Sequence, residues 1–203
     1  PNEIPTNKDL VIISLAPIWL FVPYLEYIFN KRCIKKKYIK GIIVTSSTSV
    51  ITKKYSWNKF DKNLFGKLLS FEKRLIDLNK RHNLRSTILR PTLIYDDIGS
   101  NLDKNLSTLT NIMKKTYLLP IPFNTGLRQP IHVSQFGDSI LNISKSYIYD
   151  KDKNFTQIIN IGGDEELSYQ EILNRIKRNC LTSDCIQNCN FIKIPNRIYF
   201  LLS

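Results

Sequence analysis

Four hydroxyl residues in a row, Ser46, Ser47, Thr48 and Ser49, follow the apolar run GIIVT at positions 41–45. Side-chain hydroxyls both donate and accept hydrogen bonds, so such a cluster at the end of a strand can hold ligand oxygens. Two further strand ends stand out: Ala16-Pro17, and the stretch that runs from Arg90-Pro91 to Tyr95. Open α/β sheets bind ligands beyond the carboxyl ends of their strands, so the place to look for a site is where these three ends lie side by side. The histidines carry less. His132, within Ile-His-Val, reads as a structural histidine bonded to backbone, and His82 at a helix end as a partner of the helix dipole. Cys33, Cys180, Cys185 and Cys189 match no common zinc spacing and have no neighbouring histidine, so they read as reduced thiols and no metal is expected.

The elements that must position these residues follow from the apolar pattern. Residues 10–15 are rich in β-branched side chains and read as a short buried strand; Pro17 marks the turn into a helix over 18–30. The continuous apolar run at 41–45 suits a parallel strand covered on both faces. Leucines and other apolar residues recur at helical spacing between Leu64 and Arg81, and a third strand, STIL, spans 86–89. Strand, helix, strand, helix, strand predicts a doubly wound α/β sheet with right-handed crossovers. Beyond Tyr95 the pattern becomes α+β. A helix is expected over 106–116, with Pro120 and Pro122 breaking the segment after it, then a helix over 134–145 and a strand over 155–161 closed by Gly162-Gly163. Ser168 and Glu171 form a capping box for a helix running to about 179.

Composition excludes several classes. The chain has 203 residues, 42% of them hydrophobic and 23% charged, which fits neither a disordered chain nor a disulfide mini-protein. The formal net charge of +13 admits a polyanionic partner, but the abundance of Ile, Lys and Asn reads mainly as compositional drift. The basic residues do not group with an aromatic platform, so no nucleic-acid partner is expected. The apolar stretch at 11–29 approaches the length of a membrane span and is followed by KRCIKKK. Pro17, Pro23 and Glu26 favour strand plus helix instead, and no membrane partner is expected; a single-span protein is the lesser alternative.

Five blocks in order carry a resemblance to a known family. TILRPTLIYD (87–96) is similar to the I-L-R-P-x-x-x-Y-G segment of the extended short-chain dehydrogenases/reductases, which include the NAD-dependent nucleotide-sugar epimerases and dehydratases. VTSSTSV (44–50) resembles that family's strand ending in hydroxyl residues, and DLVIISLAP (9–17) the strand before it. LRQPIHVSQFGDSIL (127–141) and NIGGDEELSYQEI (160–172) resemble its R-x-x-x-H-V and N-x-G-G segments. The resemblance implies a Rossmann-like doubly wound parallel sheet with a small α+β substrate-binding region. It places the C-terminal half of an NAD(P)-binding domain in 1–95, with 131–150 returning to it, and substrate binding in 96–203. It implies NAD or NADP as cofactor, a nucleotide-sugar substrate, a homodimer as a permitted assembly, and a cytoplasmic protein.

The resemblance also assigns roles. Thr48 matches the hydroxyl that bonds a substrate oxygen near the nicotinamide, and Ala16 and Pro17 the wall beside the adenosine and ribose. Ser46 and the turn at Pro91-Thr92 match backbone on the nicotinamide side. Arg128 matches a residue that grips the substrate diphosphate, a role that suits a guanidinium fork. Asn105, at the start of a helix, matches a place where an amide meets a sugar or phosphate.

Two departures qualify this. No G-x-x-G-x-x-G or G-x-G-x-x-G occurs in the chain, which begins at Pro1 and has Met113 as its only methionine, so an absent N-terminal portion carrying the phosphate loop is expected. The family's Tyr-x-x-x-Lys pair falls on Leu64 and Leu68, which cannot relay a proton; Tyr55 and Lys59 have the spacing but lie too early. Some subgroups of the family lack the pair yet keep the hydroxyl run and the T-I-L-R-P-T-L-I-Y block, so a non-catalytic NAD(P)-binding or sensing protein is the main alternative to an enzyme.

Overall fold

The structure is a computed structural model, and it describes residues 8–31, 36–96, 104–123, 126–149, 156–179 and 184–195. In chain order the elements are β1 (Leu10–Ser14), α1 (Ile18–Asn30), β2 (Ile39–Thr45), α2 (Ser49–Thr52), α3 (Lys59–His82), β3 (Ser86–Pro91), β4 (Ile94–Tyr95) and α4 (Lys104–Lys115). They continue with β5 (Leu118–Pro122), β6 (Leu127–Arg128), β7 (Ile131–His132), α5 (Val133–Tyr149), β8 (Thr156–Ile161), β9 (Leu167–Ser168), α6 (Tyr169–Asn179), α7 (Asp184–Gln187) and β10 (Asn190–Ile194). The chain divides into two compact units: residues 1–92 with 134–161, and residues 93–133 with 162–203.

The first unit is built on a four-stranded sheet in the order β1-β2-β3-β8, with every neighbouring pair parallel. Successive residues of a strand point to opposite faces, and β2 uses both. Ile42 and Val44 pack with Ile88 of β3 against α1 (Ile18, Val22, Leu25, Phe29) and α3 (Leu68, Leu75, Leu78). On the other face, Gly41 leaves room for the Tyr147 ring of α5; a Cβ there would lie 1.9 Å from Tyr147 Cδ2. Tyr147 Oη also bonds the buried Thr87 hydroxyl at 2.5 Å. This is a helix–sheet–helix sandwich, as the continuous apolar strands require.

Element boundaries have local causes. Pro17, at φ −50° and ψ 130°, caps α1, and its carbonyl accepts the amides of Leu20 and Phe21 at 2.8 and 3.2 Å. The apolar stretch at 11–29 is thus divided between β1 and α1, and among the described residues no helix is long and apolar enough to cross a membrane. Helix α3 starts at Lys59, before the Leu64 at which the apolar pattern begins. The Asn58 carboxamide caps it, accepting the Phe60 amide at 2.8 Å. It ends on Asn83 in the left-handed region, φ 50°, which an asparagine tolerates.

In the second unit, β5 pairs in parallel with β10. Met113, Ile121, Ile172, Leu173, Ile176, Ile186 and Cys189 form the core around this pair. The expectation that Pro120 and Pro122 break the chain is corrected: both lie in β5, whose single ladder neighbour leaves one edge without need of amide donors. The capping box of α6 forms in full: Ser168 N donates to Glu171 Oε2 at 2.6 Å, and Glu171 N donates to Ser168 Oγ at 3.2 Å.

Candidate functional site

The carboxyl ends of the four parallel strands share one edge of the sheet, and the chain stitches three of them together there. Ser46 N donates to Leu89 O at 2.7 Å, Thr48 N to Pro91 O at 3.1 Å, and Thr92 N to Ile161 O at 3.0 Å. Four of the expected residues, Ser46, Thr48, Pro91 and Thr92, are therefore neighbours by backbone pairing. Ala16 and Pro17 follow the adjacent strand β1, both exposed. The Thr48 hydroxyl donates to Pro91 O at 3.2 Å, so with its proton committed it meets a ligand as an acceptor. Ser47, to which no role was attached, accepts the Ser49 amide at 3.1 Å and donates to Ser49 Oγ at 3.0 Å, closing the turn into α2. The Thr45 hydroxyl is buried without a partner at the end of β2.

Behind this edge lies a charged cluster that the spacing of motifs did not reveal. Glu72 of α3 is 1% exposed. Its Oε2 accepts from Arg90 Nη2 at 2.5 Å, and its Oε1 accepts from Arg90 Nε at 3.0 Å and from Ser46 Oγ at 2.5 Å. The bidentate fork satisfies a carboxylate that burial alone would penalise heavily. Ser46 thus turns its hydroxyl inward to Glu72, and what it offers outward is backbone. A signal was present: Glu72 sits on the stripe formed by Leu68, Leu75 and Leu78, where a charge is out of place unless paired.

Leu68 is 3% exposed and lies in the core, and Leu64 packs against the same cluster. Neither position offers a proton. Tyr55 is exposed with Lys54 5.1 Å from its ring centroid, and Lys59 opens α3.

In the second unit Arg128 lies in β6, which pairs antiparallel with β9, and its guanidinium stands 5.3 Å from the Tyr169 ring centroid. Asn105 is in the first turn of α4; its side chain lies outside the described residues. His132, on β7, meets Tyr95 edge-on at 5.3 Å and has Nε2 3.8 Å from Asp96 Oδ1, so the side chains of Tyr95 and Asp96 flank it. His82 is the last residue of α3, edge-on to Phe29 at 5.3 Å. Gly162 and Gly163 are dictated by close approach: a Cβ on Gly163 would stand 2.1 Å from Pro130 O, and one on Gly162 2.6 Å from Gln129 Cβ. Cys33 and Cys180, and the side chain of Cys185, lie outside the described residues; Cys189 is a buried free thiol. Among the described residues no group of three or more His, Cys, Asp or Glu is placed to hold a metal.

No protein-family model matches the chain, and no curated protein matches it by sequence. Solved structures do match. A dTDP-glucose 4,6-dehydratase from Bacillus anthracis in complex with NAD shares 14% identity at a TM-score of 0.59, over 92% of this chain and 61% of its own. A UDP-glucuronic acid 4-epimerase from Bacillus cereus, with UDP-glucuronic acid and NAD, shares 18% at 0.56, over 88% and 53%. RMD from Pseudomonas aeruginosa, complexed with NADPH, shares 11% at 0.57, over 94% and 77%. The chain spans only about three fifths or less of the first two. Identity this low speaks to architecture alone: the chain shares the Rossmann-like α/β fold of these NAD- and NADPH-bound structures.

Proposed function

We propose that the chain belongs to an NAD(P)-dependent epimerase/dehydratase-like protein acting on a nucleoside-diphosphate sugar. The observation that carries this reading is the sheet edge, where Ser46, Thr48, Pro91 and Thr92 are bonded side by side at the ends of β2, β3 and β8. The residues present fit one flank of a dinucleotide. Ala16 and Pro17 would lie against the adenosine and ribose, and the backbone of Ser46, Pro91 and Thr92 against the nicotinamide. The partnerless Thr45 hydroxyl is one further polar atom at that edge. They do not supply a glycine-rich turn for the pyrophosphate. When bound, NAD or NADP would supply hydride transfer. Thr48 would hold a sugar oxygen by accepting its hydroxyl proton, and Arg128 and Asn105 would bind the diphosphate and sugar. In this reading residues 1–95 are the C-terminal half of the cofactor domain, with 131–150 returning to it, and 96–203 handle substrate.

The edge strand β1 supports a longer chain around this core. Its residues are apolar, yet Leu10, Val11 and Ile12 are only half-buried and Ile13 is exposed, whereas β2 is almost wholly buried. Further parallel strands beside β1 would cover them and bring the missing phosphate turn. The outward stripe Leu20, Tyr24 and Tyr27 of α1 supports a homodimer, and the proposed setting is the cytoplasm. The test is turnover of nucleoside-diphosphate sugars by the full-length protein with NAD and with NADP. Activity lost in Thr48→Val supports the reading; a full-length sequence with no glycine-rich turn after a strand overturns it.

A second reading, binding or sensing of NAD(P) without turnover, is favoured by one observation: Leu68 is packed in the core and Leu64 packs against it, so neither position has a group that transfers a proton. Cofactor binding with no turnover on any nucleotide sugar would select it.

A further inference from the structure

The connection between α2 and α3 presents large apolar side chains to solvent in a fixed conformation. Tyr55 is 82% exposed, Trp57 92%, Phe60 72% and Ile51 of α2 50%. Polar groups of the same loop turn inward and hold it. Asp61 of α3 accepts from Lys53 Nζ, and from Ser56 Oγ at 3.1 Å. Ser56 N donates to Lys53 O at 3.2 Å, and Asn58 N to Ser56 Oγ at 3.2 Å. Asn58 then caps α3. The aromatics are exposed on a braced loop, and an exposed aromatic group of this size marks an interaction surface.

Its electrostatics select the partner. Between positions 51 and 67 the sequence has five lysines, Lys53, Lys54, Lys59, Lys62 and Lys67, and one acidic residue, Asp61. Asp61 is paired with Lys53, and Lys67 lies over the Trp19 ring, 4.3 Å from its centroid. Lys54, Lys59 and Lys62 are exposed among the aromatics. Trp and Tyr settle at the headgroup level of bilayers, and lysines beside them are drawn to anionic lipid. A protein partner would have to match an apolar knob ringed by positive charge; an anionic lipid surface matches it without specific shape.

We propose that this loop is a docking site for an anionic membrane surface, with Trp57 and Phe60 entering the interface and Lys54, Lys59 and Lys62 meeting the headgroups. This revises two expectations: that the chain has no membrane partner, and that its basic residues do not group with aromatic ones, since Lys54, Lys59 and Lys62 stand among Tyr55, Trp57 and Phe60. It needs no spanning helix, and it stands independently of the cofactor reading.

The test is co-sedimentation of the full-length protein with vesicles of phosphatidylcholine, alone or mixed with phosphatidylglycerol. Binding to the mixed vesicles is expected, falling steeply with salt. Each lysine near an anionic surface strengthens binding about fivefold, so Lys54→Gln/Lys59→Gln/Lys62→Gln should weaken it roughly a hundredfold. Trp57→Ala/Phe60→Ala should also weaken binding while leaving the circular dichroism unchanged. The difference in emission between Trp19→Phe and Trp19→Phe/Trp57→Phe isolates Trp57, whose emission should shift to the blue on binding; this readout stands even if the lysine and Trp57→Ala/Phe60→Ala variants fail to fold. No binding to anionic vesicles, binding indifferent to both sets of substitutions, or Trp57 emission that stays at its aqueous position would overturn the proposal. So would retention on heparin with no vesicle binding.

Discussion

Removing one member of the Glu72–Arg90 pair tests whether that cluster anchors the sheet edge. In Arg90→Met the Glu72 carboxylate keeps one neutral hydrogen bond, from Ser46, and loses both bonds from the guanidinium. Glu72 is 1% exposed, so water cannot replace them without opening the interface between α3 and β3. Breaking a buried pair in this way costs about 3–5 kcal/mol. Glu72→Leu has the converse effect on Arg90, whose side chain is 13% exposed, so its cost should be smaller. The double variant leaves no unpaired charge and should cost less than the sum of the singles, with a coupling of about 1–3 kcal/mol. Urea unfolding followed by the fluorescence of Trp19 is the assay, because Trp19 packs against the core of the first unit whereas Trp57 is already exposed in the folded protein. In a chain of this size a 4 kcal/mol loss also lowers Tm by roughly 8–16 °C. A single-variant cost below about 1 kcal/mol, or strict additivity in the double variant, would refute the reasoning.

Four further outcomes rest on local geometry. Gly163→Ala places a Cβ against the Pro130 carbonyl and Gly41→Ala places one inside the Tyr147 ring, so each should cost about 1–3 kcal/mol or more in denaturant unfolding. Gly66→Ala, on α3 with nothing within 4 Å of the new Cβ, should instead stabilise by about 0.5–1 kcal/mol. The hydrogen bonds from Ser168 hold the Glu171 carboxyl below the usual range, so its contribution to stability is present above the unfolded-state pKa and is lost as pH falls through the lowered value; an NMR titration should show the depression, and Ser168→Ala should reduce it. Tyr147→Phe strands the Thr87 hydroxyl in the core and should cost about 1–3 kcal/mol by the same unfolding assay.

The sheet was legible because its strands are short, continuous and apolar: residues 10–15, 41–45 and 86–89 correspond to β1, β2 and β3. The Ser168–Glu171 box was legible because three-residue spacing is local. What was not legible depends on distant partners. Strand β5 contains two prolines and forms because residues 190–194 lie beside it, a pairing across some seventy positions that no local pattern announces. The first turn of α3 puts its one apolar residue, Phe60, out in solvent and rests on the Asn58 cap, so the buried apolar stripe placed its start too late. At the site, the hydroxyl run and Pro91-Thr92 were found from the ends of strands. The Glu72–Arg90–Ser46 cluster was missed because its members are far apart in sequence: Ser46 and Arg90 were each read within their own block, and Glu72, which joins them, belongs to none. The same cluster shows that Ser46 offers backbone, with its hydroxyl engaged inward, and the Thr48–Pro91 bond makes Thr48 an acceptor.

The most direct measurement of the central claim is calorimetric titration of the full-length protein with NAD and with NADP, beside an Ala16→Trp variant. Ala16 is exposed at the end of β1, so the variant should fold normally while its indole fills the place assigned to the adenosine and ribose. Saturable binding of one dinucleotide is expected, with a loss of at least about tenfold in affinity in the variant, near 1.4 kcal/mol. Binding of neither dinucleotide to the folded protein, or binding untouched by Ala16→Trp, would contradict it.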